Sequence, residues 1–190
     1  MSKSVPIAVF ASGSGSNFQA IAEAIEQQKI QARIELVVTD KPNAFVIQRA
    51  ESKGIPVLVI QPKAYASKEV YEEAILRTLQ EKKVEWLVLA GYMRLIGSTL
   101  LGAYANHIVN IHPSLLPSFP GKDAIGQAMA HGVKITGVTV HYVDEGMDTG
   151  AIIMQRAVEV VADDREQTEQ AIHAVEHEVY TKALQSLFNH

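Results

Sequence analysis

Asn110 and His112 stand two positions apart in the run Ile108-Val109-Asn110-Ile111-His112-Pro113-Ser114-Leu115-Leu116-Pro117. One supplies an amide hydrogen-bond donor. The other supplies an imidazole that can gain or lose a proton near neutral pH. Ile108, Val109 and Ile111 give the run strand character, and Pro113 and Pro117 end it. Side chains alternate faces along a strand, so the amide and the imidazole project to the same side. Pro113 keeps His112 out of helical angles, which preserves the extended geometry to the last residue. The C-terminal end of a strand is where open α/β sheets bind ligands. On its residues alone, His112 suits a hydrogen-bonded structural role as well as a catalytic one.

A second candidate is Ser12-Gly13-Ser14-Gly15-Ser16-Asn17, between an apolar strand (Pro6 to Ala11) and a helix with Phe18, Ile21, Ala22 and Ile25 on one face. Strand, glycine-rich turn and helix aim free backbone N–H groups at an anion, and Ser16 or Asn17 can also cap the helix. Phe18 stands where a dinucleotide fingerprint needs its third glycine, and no Gly-Lys-Ser/Thr of a P-loop follows. Asp40, closing the next strand (Ile34 to Thr39), could mimic a ribose-binding acid, but the missing glycine counts against NAD. A phosphate is preferred to a bare strand–helix turn.

Two patterns mimic metal sites. His173-Ala174-Val175-Glu176-His177 matches H-x-x-E-H and would put both histidines on one helix face. The match also arises from composition in a helix rich in Glu and His, and no third ligand follows, so a surface or substrate-facing helix is expected. The acids of Asp144-Glu145-Gly146-Met147-Asp148-Thr149-Gly150 lack the spacing and later glutamate of a helix–loop–helix calcium site. His107, His131 and His190 suit exposed or capping positions, and His141 suits either a core hydrogen bond or a pocket wall.

The elements that must position these groups alternate. Helices are expected around Ala44 to Lys53 and over Lys68 to Lys83, with strands at Val57 to Ile60 and, fully apolar, at Trp86 to Ala90. Pro62 to Ser67 reads as a loop. Gly91-Tyr92-Met93-Arg94-Leu95-Ile96 reads either as a connecting loop or as a pocket wall, followed by a short helix (Ser98 to Tyr104). After Pro117 come a tight turn, a helix (Ala124 to Ala130), strands at Lys134 to Val143 and Ala151 to Val161, and a closing helix (Arg165 to Phe188). This alternation predicts an α/β fold with a doubly wound, mostly parallel central sheet and helices on both faces.

The chain has 190 residues, 47% hydrophobic and 20% charged, enough for one substantial core. A formal net charge of −4 argues against bulk nucleic-acid binding. The absence of cysteine removes disulfides, thiolate metal sites and a cysteine nucleophile. The apolar run from Val5 to Ala11 is too short for a membrane span and lacks a basic leader, so a cytoplasmic location without membrane attachment is expected.

Asn110-x-His112-Pro-Ser-Leu-Leu-Pro117 followed by Asp148 resembles the folate-dependent formyltransferases. Ser12 to Asn17, Gly91 to Ile96, Asn110 to Gly121 and Gly137 to Gly150 extend the resemblance over nearly the whole chain. It implies one formyltransferase domain over 1–190, with a Rossmann-related nucleotide-binding half (1–104) and a catalytic, folate-binding half (105–190). Members that formylate initiator tRNA carry an extra C-terminal domain, and formyl-folate hydrolases carry an extra N-terminal one. The length favours neither, so the branch that formylates glycinamide ribonucleotide in purine biosynthesis is expected.

The resemblance implies that the ribonucleotide amine attacks the formyl carbon of 10-formyltetrahydrofolate, with Asn110, His112 and Asp148 as the catalytic trio and no metal. Gly15, Ser16 and Asn17 would hold the phosphate, and Glu176 the ribose hydroxyls. Met93, Arg94, Leu95 and Ile96 would bind folate chiefly through their backbone, together with Asn110. Lys68 falls where the family often has an arginine near the folate tail, and lysine offers a point charge instead of a fork. Asn110 would steady the oxyanion, His112 would share that load or donate a proton, and Asp148 would favour the charged ring and hold a relay water. The partners implied are these two small molecules; the oligomeric state is left open. The rival readings are a formyl-folate hydrolase, a non-catalytic mononucleotide-binding domain and a zinc hydrolase.

Overall fold

The computed structural model describes residues 3–190. Seven strands form one sheet in the order β3-β2-β1-β4-β5-β6-β7. The strands β1 (Val5–Phe10), β2 (Ala32–Thr39), β3 (Val57–Val59), β4 (Trp86–Leu89) and β5 (Ile108–His112) run parallel. The hairpin of β6 (Ile135–Tyr142) and β7 (Ile152–Glu159) adds to β5 antiparallel. Helices are α1 (Ser16–Glu26), α2 (Val46–Ser52), α3 (Lys68–Glu81), α4 (Ser98–Ala103), α5 (Ala124–His131) and α6 (Arg165–Phe188). The expected elements are all present with ends shifted by about a residue or two; the stretch read as a loop after β3 contains a 3₁₀ turn, Pro62–Ala64.

The alternation of β1 explains the two layers. Ile7 and Val9 face one core with Phe18 of α1 and Ile172, Val179 and Leu184 of α6, whereas Ala8 and Phe10 face Ile75 and Leu79 of α3 and Leu100 of α4. Every residue from Ile7 to Phe10 is fully buried, as a strand covered on both faces must be. Phe18, where a dinucleotide site would carry glycine, fills the α1–sheet interface instead. α6 is pinned by the buried Tyr180, whose hydroxyl donates to the Leu89 carbonyl at 2.7 Å. Burial raises the Tyr180 phenol well above its ordinary pKa, so it stays a neutral donor. Among the described residues no helix is long and apolar enough to cross a membrane.

Strand order reverses between β1 and β4, which places a crevice at the C-terminal ends of these neighbours. The loops after β1, β4 and β5 open there together.

Candidate active site

A cleft of about 790 Å³ occupies this crevice, large enough for small-molecule substrates. Its lining includes Gly15, Ser16, Asn17, Met93, Arg94, Leu95, Ile96, Asn110, His112, Asp148 and Glu176. Lys68 is not among the lining residues; it opens α3 with its side chain beside Gly97.

Asn110 and His112 alternate with Val109 and Ile111, which pack into the α6-side core, so both polar side chains face the other way. Antiparallel register sets His141 of β6 directly opposite Asn110. The His141 Nδ1–H donates to the Tyr142 carbonyl at 2.8 Å, and burial lowers the pKa of this ring, so Nε2 is an acceptor. Asn110 Nδ2 lies 3.5 Å from that Nε2. The contact orients the amide with its NH₂ toward His141 and leaves the second N–H for another acceptor.

His112 Nε2 lies 2.9 Å from the Phe119 carbonyl and Nδ1 lies 3.5 Å from Asp148 Oδ2. Both ring nitrogens therefore face oxygen acceptors. The Nδ1 contact is long, which leaves room for an arriving acceptor beside the carboxylate. The chain around these groups is held by unusual backbone. Phe119 and Asp148 adopt left-handed angles (φ 52° and 57°), and the Leu116–Pro117 bond is cis. The Gly121 N–H donates to Asp148 Oδ2 at 2.8 Å, and Asp148 Oδ1 lies 3.8 Å from His141 Nε2. A Cβ on Gly150 would stand 1.7 Å from the Tyr142 carbonyl oxygen, so the acid loop returns to β7 through a contact only glycine allows.

The anion loop departs from expectation at its cap. Ser16 and Asn17 do not cap α1; they are its first residues, and Gly15, left-handed at φ 75°, occupies the cap position. Gly15 also packs where a Cβ would meet Val46 Cγ2 at 2.6 Å. With no side chain from the cap position, the N–H groups of Gly15, Ser16 and Asn17 lack backbone acceptors, and only a long contact from the Ser16 N–H to Ser14 Oγ (3.4 Å) engages them, so the helix N-terminus can receive an anion. Asn17 is drawn elsewhere: its Nδ2 donates to Glu176 Oε2 at 3.3 Å. His173 Nδ1 meets the same oxygen at 2.9 Å, which leaves Oε1 unengaged by both. The hydrogen bond to Glu176 raises the His173 pKa against the opposing effect of burial.

The H-x-x-E-H face is thus divided. His173 lines the cleft, whereas His177 faces the groove between α1 and α6, and among the described residues no group of three His, Cys, Asp or Glu is placed to hold a metal. His141, which its sequence context suits to a core hydrogen bond or a pocket wall, makes that hydrogen bond and lines the cleft as well, and His173 places the H-x-x-E-H helix toward the cleft. A cross-strand register and a shared carboxylate, neither visible in linear spacing, put them there.

On the opposite wall Met93, Leu95 and Met147 stay exposed at the rim, with Ile96 buried behind them. The N–H groups of Arg94, Leu95 and Ile96 are bonded to no backbone acceptor, but the Met93 N–H is already given to Ser12 Oγ at 2.9 Å. Asp40 does not reach the cleft as a ribose-binding acid; it is buried, bonded to Ser12 and paired with Arg94.

An amide donor, an imidazole and a carboxylate beside an anion loop suit acyl transfer involving a phosphorylated compound, and the class of protein is a small-molecule transferase. Residues 5–184 match the family described as formyl transferase, and the chain belongs to that family. It is 54% identical over 181 residues to the phosphoribosylglycinamide formyltransferase of Bacillus subtilis, covering 95% of this chain and 93% of that protein. It is 45% identical over 186 residues to the trifunctional purine biosynthetic protein adenosine-3 of Drosophila melanogaster, covering 96% of this chain and 14% of that one. The crystal structure of glycinamide ribonucleotide transformylase 1 from Geobacillus kaustophilus superposes with a TM-score of 0.94 at 57% identity, covering 97% and 98% of the two chains.

Proposed function

We propose that this cleft transfers the formyl group of 10-formyltetrahydrofolate to the amine of glycinamide ribonucleotide, in the cytoplasm, as a step of purine biosynthesis. The observation that carries the reading is the convergence of Asn110, His112 and Asp148 on one cleft between an anion loop and a wall of free backbone groups. The ribonucleotide phosphate sits on Gly15, Ser16 and Asn17, and Glu176 Oε1 takes a ribose hydroxyl. The pterin lies against Met93 to Ile96, meeting the N–H groups of Arg94, Leu95 and Ile96, and Lys68 meets the tail carboxylates beyond Gly97. The chain works as one unit over 1–190, since Glu176 from the second half completes a site begun by the first.

The amine attacks the formyl carbon and forms a tetrahedral centre. Its oxyanion is held by the second N–H of Asn110, and by His112 through Nδ1. Collapse breaks the bond between the formyl carbon and N10, and His112 supplies the proton that N10 needs to leave. Asp148 accepts, through a water, the proton shed by the attacking amine. No step calls for a metal.

The test is spectroscopic release of tetrahydrofolate dependent on glycinamide ribonucleotide. Release at the same rate without the ribonucleotide would make the protein a hydrolase.

His173 adds a pH dependence. Its raised pKa keeps the ring cationic to higher pH than an isolated histidine, beside the carboxylate that Asn17 of the anion loop also contacts. Below that pKa the His173–Glu176 pair is neutral overall; above it the Glu176 carboxylate, on the ribose and next to the phosphate loop, carries an unbalanced negative charge toward an anionic substrate. The KM for the ribonucleotide is therefore expected to rise with pH above the ordinary histidine range. The rise should be roughly fivefold, the effect of one charge a few ångströms away in water-like surroundings. His173→Gln should flatten this rise. A variant profile superimposable on the wild-type one removes His173 from the site.

A further inference from the structure

Asp40 lines neither substrate wall, yet it is bonded to both. It follows β2 and is 4% exposed. Its Oδ1 accepts the Ser12 hydroxyl at 2.6 Å, and its Oδ2 accepts Arg94 Nε at 3.0 Å. Having donated to Asp40, the Ser12 oxygen is free to accept the Met93 N–H at 2.9 Å, and the Ser12 N–H donates to the Gly91 carbonyl at 3.0 Å. Ser12 leads into the anion loop after β1, while Gly91, Met93 and Arg94 belong to the wall after β4. These two strands are neighbours across the crevice, and β2 lies on the far side of β1. One buried carboxylate thus reaches past β1 to fasten together the two loops that face each other over the substrates.

We propose that Asp40 is a positioning residue that keeps the ribonucleotide loop and the folate wall in one frame, so that each wall presents its contacts to its own substrate. The proposal rests on the function proposed above. Arg94 is half exposed and lines the cleft, and Asp40 holds it through Nε, which leaves both Nη groups out of that pairing. Without that acceptor the guanidinium is free to swing into solvent. Ser12 depends on the same carboxylate: the direction of its hydroxyl proton decides whether its oxygen can receive the Met93 N–H. An asparagine at position 40 keeps the shape and one oxygen for Ser12 but turns NH₂ toward Arg94, donor against donor. A residue serving one wall alone would alter recognition of one substrate; Asp40 should alter both.

Steady-state kinetics with each substrate varied in turn decides the matter. Asp40→Asn is expected to raise the KM for formyl-folate about tenfold, as loss of a charge-assisted hydrogen bond implies. It should raise the KM for the ribonucleotide about threefold, with kcat changed less than either. Ser12→Ala, a smaller perturbation that serves if Asp40→Asn folds poorly, should raise both KM values too. A rise in one KM alone, wild-type values for both, or a fall confined to kcat would overturn the proposal. Wild-type protein that shows no ribonucleotide-dependent tetrahydrofolate release would instead overturn the functional reading.

Discussion

Asn110→Ala lowers kcat by about a hundred- to a thousandfold, the usual consequence of deleting one oxyanion donor. Both KM values should move far less, because the formyl oxygen takes up its charge only as the tetrahedral centre forms, and the bond at stake is strongest there. The orientation of the amide makes the expectation specific. The His141 Nδ1–H is committed to the Tyr142 carbonyl, so its Nε2 is left to accept from the Asn110 NH₂, which fixes the amide as a donor with a second N–H to give. Asn110→Asp, nearly identical in shape, should be as poor as alanine or worse, since it sets a carboxylate against the developing oxyanion. Single-turnover kinetics on purified variants, checked for folding by thermal melts, reads the chemical step directly. A chemical rate within a few-fold of wild type in the alanine variant would take Asn110 out of the mechanism.

How far the sequence reaches can be judged from the same residues. Asn110 and His112 were legible because a strand's alternation and a terminating proline are local facts, and the two-layer fold was legible because buried parallel strands read as continuous apolar runs. The partners of that pair were not. His141 faces Asn110 through an antiparallel register set by the whole β6–β7 hairpin, and Asp148 arrives on a loop fixed by the Gly121 N–H and by the passage of Gly150 under Tyr142. Resemblance supplied Asp148; spacing could not. The cap of α1 was misjudged because serine and asparagine at a helix start usually cap it, whereas here Gly15 takes the left-handed turn and Asn17 is claimed by Glu176 from the far end of the chain. The same carboxylate splits the apparent zinc motif by bonding one of its two histidines.

Asp148→Asn should lower kcat by about a hundred- to ten-thousandfold, the range for loss of a proton-transfer partner. The substitution is nearly isosteric, and an asparagine oxygen can still accept the Gly121 N–H, so the left-handed loop is expected to stay in place. What disappears is the negative charge 3.5 Å from His112 Nδ1 and the acceptor for the amine's proton. Because His112 and Asp148 serve the same proton traffic, their losses should not multiply. His112→Gln alone should be comparably slow, and the double variant only slightly slower than the worse single one, as in other groups that act as a unit. The discriminating measurement is the chemical rate of all four proteins under one buffer condition. Near-multiplicative losses would mean that the imidazole and the carboxylate act independently, and the proton relay between amine and N10 would then need another carrier.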